Sequence, residues 1–134
     1  MMKHRILIVE NDPRWHQMLG EVSEELGYET FQASLVKDAI QVLREIDVSL
    51  ILLDIKLPGV KGHQFLQLLR KNHMAVPVIV VAGFLTPEVV ETLIDARVNG
   101  IIVKSEFRVQ RLAKEIEAAL GGFAVKPVNS FGSS

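Results

Sequence analysis

Three acidic side chains, one amide and one lysine stand where they could do chemistry together. Glu10, Asn11 and Asp12 follow the aliphatic run Ile6-Leu7-Ile8-Val9, Asp54 follows Leu50-Ile51-Leu52-Leu53, and Lys104 follows Ile101-Ile102-Val103. A carboxylate at the end of four aliphatics is unfavourable unless it is solvated, paired or metal-bound. Carboxylates gathered at one place suit a hard divalent cation such as Mg2+, which takes oxygen ligands and keeps several waters. With its charge shielded in this way, Asp54 could attack phosphorus as a carboxylate nucleophile and form an acyl phosphate. Lys104 would then pair with the phosphate oxygens, since positioning and charge neutralisation are most of what phosphoryl transfer requires.

These residues can meet only if the elements before them lie side by side. Besides the three runs above, Tyr28 to Gln32 and Val78-Ile79-Val80-Val81 read as strands. Four of the five runs lack alternation, as strands buried on both faces of a parallel sheet do, and the Tyr28 run suits an edge. Helical patterns lie between them. Asp12 and Pro13 start one that carries Trp15, Met18, Leu19, Val22 and Leu26 on one face and stops at Gly27. Ser34 is expected to cap a second, with Leu35, Ala39, Ile40 and Leu43. A third spans roughly 63–72 with Phe65, Leu66 and Leu69 inward. Thr86 and Pro87 start a fourth, with Val89, Val90, Leu93 and Ile94 toward the core. The fifth carries Val109, Leu112, Ala113, Ile116 and Leu120 and stops at Gly121-Gly122. Five alternations of strand and helix give an open parallel sheet with helices on both faces. Right-handed crossovers leave a few topologies, one of them the order 2-1-3-4-5, which binds ligands at the carboxyl ends of strands 1 and 3.

Composition excludes several classes. The net charge of −1 gives no electrostatic footprint for nucleic acid. The absence of cysteine rules out a disulfide scaffold and thiolate metal sites and fits a reducing cytosol. No apolar run approaches the ~20 residues of a membrane helix, and no signal-peptide apolar region follows the start. The expectation is therefore a cytoplasmic protein with neither membrane nor direct nucleic-acid contact.

The ordered residues resemble the receiver domain of bacterial two-component response regulators, the CheY-like family. The resemblance rests on Ile6 to Pro13, on Leu50 to Asp54 with the following Ile55-Lys56-Leu57-Pro58-Gly59-Val60-Lys61-Gly62, on Pro77 to Val81 and on Gly100 to Lys104, and covers roughly residues 4–120. It implies a flavodoxin-like, doubly wound (βα)5 three-layer sandwich with the sheet order 2-1-3-4-5. It implies Asp54 as phosphoacceptor, Lys104 as the phosphate-pairing lysine, and Glu10, Asn11, Asp54 and the backbone carbonyl of Lys56 as Mg2+ ligands. The side chain of Lys56 is expected in solvent. A sensor histidine kinase or phosphotransfer protein would donate the phosphoryl group, an output domain or effector would read it, and a homodimer could form through the helix 4–strand 5–helix 5 face. Such a domain is a signalling module that assists its own Mg2+-dependent phosphoryl transfer and autodephosphorylation, not a separate enzyme.

The chain also departs from that family's pattern. Asn11 stands where the second acidic residue usually is, so the metal site has two carboxylates rather than three and weaker Mg2+ binding is expected. Ala82 replaces the usual Ser or Thr after the fourth strand, and Ile101 replaces the usual aromatic, so the hydroxyl–aromatic switch is missing at both positions. Ser105 replaces a common proline after the lysine. Two readings stand at this point: phosphorylation on Asp54 with another switching route, for example through Gly83-Phe84-Leu85, or a degenerate receiver that binds partners irrespective of phosphate.

Rival classes fit less well. Phosphatases of related architecture carry a second Asp two residues after the nucleophile, where this chain has Lys56. A nucleotide- or flavin-binding loop would need glycine or hydroxyl residues after the first strand, and Glu10 to Arg14 has none. His4, His16, His63 and His73 form no metal spacing and read as surface or packing residues. Trp15 reads as a packing residue near the acidic strand end. Residues 4–121 are expected to form the receiver domain and 122–134, rich in Ser, Gly and Pro, a tail or the start of a linker.

Overall fold

The computed structural model describes residues 3–57, 61–72 and 74–121. Strands β1 (Arg5–Val9), β2 (Glu29–Ala33), β3 (Leu50–Leu53), β4 (Val78–Ala82) and β5 (Gly100–Val103) alternate with helices α1 (Pro13–Glu25), α2 (Val36–Glu45), α3 (Gly62–Lys71), α4 (Pro87–Asp95) and α5 (Val109–Leu120), with a 3-10 turn over Lys104–Glu106. All pairings are parallel, in the order β2-β1-β3-β4-β5. This is the doubly wound, flavodoxin-like sandwich that the family resemblance implies, and one of the few topologies that the alternation leaves open.

The continuous aliphatic runs follow from burial on both faces. Successive strand side chains point to opposite sides of the sheet. Leu7, Val9, Ile51, Leu53, Val78 and Val80 therefore pack under α2, α3 and α4, with Phe65, Leu66, Leu69 and Leu93. Ile6, Ile8, Leu50, Leu52, Ile79 and Val81 pack under α1 and α5, with Leu19, Leu112 and Ile116. The central strands β1, β3 and β4 thus serve two cores, and from Ile6 to Val9, Leu50 to Leu53 and Val78 to Ala82 no polar residue fits within them, whereas edge strand β2 carries Glu29, Thr30 and Gln32.

The caps decide where the helices begin. Asp12 is extended, accepts the Arg14 N–H, and is followed by Pro13 at the first turn of α1; Gly27, at φ 97°, takes the chain out of that helix. Thr86 accepts the Val89 N–H at 3.2 Å and starts α4. Ser34 does not cap α2. The residue before the helix is Leu35, which makes no side-chain cap bond, because buried Val36 and Ala39 set the helix start and leave exposed Ser34 one residue short. The apolar faces also end sooner than their periodicity suggests. Leu26 is 38% exposed where α1 turns into Gly27, and Val109 is 46% exposed at the first position of α5. On α4, Leu93 is buried and Val89 packs on the core, whereas Val90 and Ile94 stay half-exposed on its flank.

One side chain ties three segments together. Arg70, at the end of α3, donates to the carbonyls of Ala96 at 2.8 Å, Met74 at 2.7 Å and Val76 at 2.9 Å. It thereby links α3, the approach to β4 and the end of α4.

Candidate functional site at the carboxyl edge of the sheet

Register delivers the acidic residues to one place. Val9 pairs with Leu53, and the Asp54 N–H extends the ladder to the Val9 carbonyl at 2.9 Å. Glu10 and Asp54 are consequently neighbours beyond the ends of β1 and β3. Ala82 pairs with Val103, so Lys104 emerges from β5 at the same edge.

The three side chains form one buried network. Glu10 is 1% exposed and Asp54 7%. Lys104 Nζ lies 2.6 Å from Glu10 Oε1 and donates to Asp54 Oδ2 at 3.1 Å. Glu10 Oε2 accepts the N–H groups of Asn11 at 2.9 Å and Asp12 at 3.2 Å, and Asp54 Oδ1 accepts the Lys56 N–H at 3.0 Å. Two carboxylates beside one ammonium leave surplus negative charge in a desolvated place. Burial above all, reinforced by Asp54, pushes the Glu10 carboxyl up to about 7, against the opposing pull of Lys104. Burial works against the Lys104 ammonium, but Glu10 and Asp54 outweigh it and its pKa rises.

The donor set fits a hard divalent cation. Glu10 Oε1 is buried with no aligned hydrogen-bond donor, although the Lys104 ammonium faces it. Such an oxygen, beside a second carboxylate, is what Mg2+ selects. Exposed Asn11 stands next to it with an uncharged amide, and Asp12 is occupied in capping α1. Among the described residues no three His, Asp, Glu or Cys side chains group as a metal cluster, consistent with Asn11 in place of an acid.

A cleft of about 490 Å3 opens beside Asp54. Its lining includes Lys56, Lys61, His63, Gly83, Thr86 and Lys104. In the sequence His63 stands only as a surface or packing residue, and neither Lys61 nor Thr86 is marked for this place. Their one signal was position, since the first two follow the Asp54 loop and the third caps the helix after β4. Gly62 seats that loop: a Cβ there would press into the Asp54 carbonyl oxygen and the Ile55 backbone. Pro58, Gly59 and Val60 lie outside the described residues, as do His73 and the segment 122–134.

The remaining positions fall as follows. Ala82 is fully buried at the end of β4, and Ile101 is half-buried in β5. The Lys56 side chain is exposed. His4 is exposed, with its ring 6.4 Å from that of Tyr28, and His16 is half-buried on α1, lining a surface hollow with Gln17, Gly20 and Gln32. Trp15 has a contact that the sequence did not reveal. Lys104 Nζ sits 5.1 Å from the centroid of its ring, which in turn meets Phe107 edge-on at 5.3 Å.

A five-stranded sheet in this order, with an acid–acid–lysine network at its carboxyl edge, defines the receiver class of signalling domains. The sequence model of the response regulator receiver domain matches residues 6–117, and the chain belongs to that family. It is similar to sporulation initiation phosphotransferase F of Bacillus subtilis, 32% identical over 63% of this chain and 68% of that one. It also resembles the transcriptional regulatory protein YkoG of Bacillus subtilis, 34% identical over 90% of this chain, and PhoB of Klebsiella pneumoniae, 37% identical over 61%. The chain spans 52% of the former and 37% of the latter. A CheY-like receiver domain from Methanospirillum hungatei superposes with a TM-score of 0.83 at 26% identity, covering 90% of this chain and 95% of that one. The chain is thus a receiver domain of two-component response regulators. Among the described residues no helix is long and apolar enough to cross a membrane.

Proposed function

We propose that Asp54 accepts a phosphoryl group from a phosphohistidine on a sensor histidine kinase or phosphotransfer protein. The observation that carries this reading is the Lys104 ammonium held between Glu10 and Asp54, beside an open cleft lined by further cationic side chains. An Asp54 carboxylate oxygen attacks phosphorus, an O–P bond forms, and the P–N bond breaks with its electron pair leaving on the imidazole. The Lys56 N–H holds one Asp54 oxygen, which fixes the carboxylate plane. Lys104 turns from Glu10 toward the incoming phosphoryl oxygens and offsets their charge. Mg2+, when bound by Glu10, Asn11, Asp54 and the Lys56 carbonyl, would supply charge neutralisation at those oxygens. Hydrolysis of the acyl phosphate by water at the same site would reset the domain.

The reading of a phosphate-independent module is not favoured, because Glu10, Asp54 and Lys104 remain together. Relay must then bypass Ala82 and Ile101. Gly83 and Phe84, which line the cleft, are the route we assign, with Phe84 79% exposed to a reader. The α4–β5–α5 face, with half-buried Val90, Ile94 and Ile101, is the surface we assign to an effector, an output domain or a second copy. Residues 4–121 would be the receiver unit and 122–134 a tail or linker. A cytoplasmic location follows from such partners.

Intact-mass analysis after incubation with acetyl phosphate tests the central step. One phosphoryl adduct is expected on the wild type with Mg2+, and none on Asp54→Asn. An adduct that persists on Asp54→Asn would overturn the assignment, as would its absence from the wild type at high Mg2+.

A further inference from the structure

Lys104 is held from two sides. Glu10 and Asp54 face its ammonium, and the Trp15 ring lies 5.1 Å from the same nitrogen. Trp15 comes from the first turn of α1, which the Asp12 cap and Pro13 fix beside the acidic strand end. Its ring meets the Phe107 ring at an interplanar angle of 81°. Phe107 follows the 3-10 turn, and its N–H donates to the Lys104 carbonyl at 3.2 Å. The backbone and the ammonium of Lys104 are therefore both linked to one aromatic pair.

A lysine side chain has many rotamers and gives up entropy when held in one. A ring face near the ammonium attracts the charge and narrows that choice, most strongly where water is excluded. Lys104 must also leave Glu10 for the phosphoryl oxygens while staying at Asp54, so a fixed wall that attracts without donating suits it. We propose that Trp15 is a positioning residue for Lys104, holding the ammonium at the Asp54 carboxylate, with Phe107 bracing the ring. Packing alone accounts for the burial of Trp15, which rests on the α1–α5 core with Met18 and Val22. It does not account for the cation near its ring face.

The role in phosphoryl transfer rests on Asp54 being the acceptor, but the contact itself does not, and the two are tested apart. Trp15 is the chain's one tryptophan, so emission reads that ring alone. Lys104→Met, which keeps the aliphatic stem, is expected to alter the emission of the unphosphorylated protein; an unchanged spectrum overturns the contact. Trp15→Leu is expected to slow acetyl phosphate labelling about fivefold, while Trp15→Phe stays within about twofold of the wild type, as a partly desolvated cation–ring contact implies. Thermal unfolding of both variants reports whether the fold is kept. Wild-type labelling in a folded Trp15→Leu reduces the ring to packing and overturns the proposal. Should Trp15→Leu fail to fold, or the wild type take no phosphoryl group, the emission of Lys104→Met still decides the contact.

Discussion

Two parts of the sheet's carboxyl edge have been built differently. At the ends of β1, β3 and β5, Glu10, Asp54 and Lys104 form a buried network in which nearly every polar atom is engaged. At the end of β4, Ala82 offers neither donor nor acceptor, and its neighbour Ile101 offers no ring. On the proposed reading the first part receives the phosphoryl group; the second lacks the hydroxyl–aromatic pair common in the family. If Asp54 is the acceptor, reception and relay are separable, with the one kept and the other rebuilt. Any relay still requires a partner that binds the two states with different affinity.

The largest effect should come from the receiving side. Lys104→Ala removes the group proposed to meet the phosphoryl oxygens, and labelling by acetyl phosphate should slow by a factor on the order of 10². A rate near that of the wild type would show that the network serves stability rather than transfer.

A smaller effect lies in pH. Glu10 is raised from 4.5 to about 7, so between those values the folded state binds more protons than the unfolded one. Its contribution is fully present below about pH 4.5 and is lost as pH rises through about 7, an amount on the order of 3 kcal/mol. Thermal melts in metal-free buffer should show this decline, and Glu10→Gln should flatten it. A stability that instead rises across the window would contradict the burial of surplus charge at this edge.

Asn11→Asp tests how far reception has been weakened. A third carboxylate should lower the Mg2+ concentration that half-saturates labelling by about tenfold. Titration of labelling against Mg2+ measures it. No shift would mean that Asn11 lies outside the metal's reach.

Ala82→Thr probes the other part. The added atoms enter a fully buried position, so a loss of about 1 kcal/mol is expected in denaturant melts. Amide spectra of the labelled variant should then show changes around Ile101 that the wild type lacks. Identical changes in both proteins would show that the hydroxyl adds nothing to the rebuilt relay.

The same contrast governs what the sequence could reveal. Unbroken aliphatic runs admit few explanations, so the strands, their parallel pairing and the strand-end residues Glu10, Asp54 and Lys104 were legible, while the order 2-1-3-4-5 needed the family resemblance. Parallel register alone brings those ends together. Ser34 misled because cap preference is worth less than burying Val36 and Ala39. Val90 and Ile94 carry the right spacing for a core face, yet α4 is covered too narrowly to bury them. The contact of Trp15 with Lys104 and the place of His63 in the cleft depend on how α1 and α3 lie across the sheet. Periodicity within one segment holds no such information.

The three carbonyls bound by Arg70 set a mechanical limit on α4. Its last turn is anchored through Ala96, while its first turn begins at Thr86 beside the Asp54 cleft. A helix fastened at one end moves as a lever with its fulcrum there. Any displacement of α4 would then be greatest at Thr86 and smallest at Ala96, so a reader of α4 would gain most by gripping the end beside the Asp54 cleft.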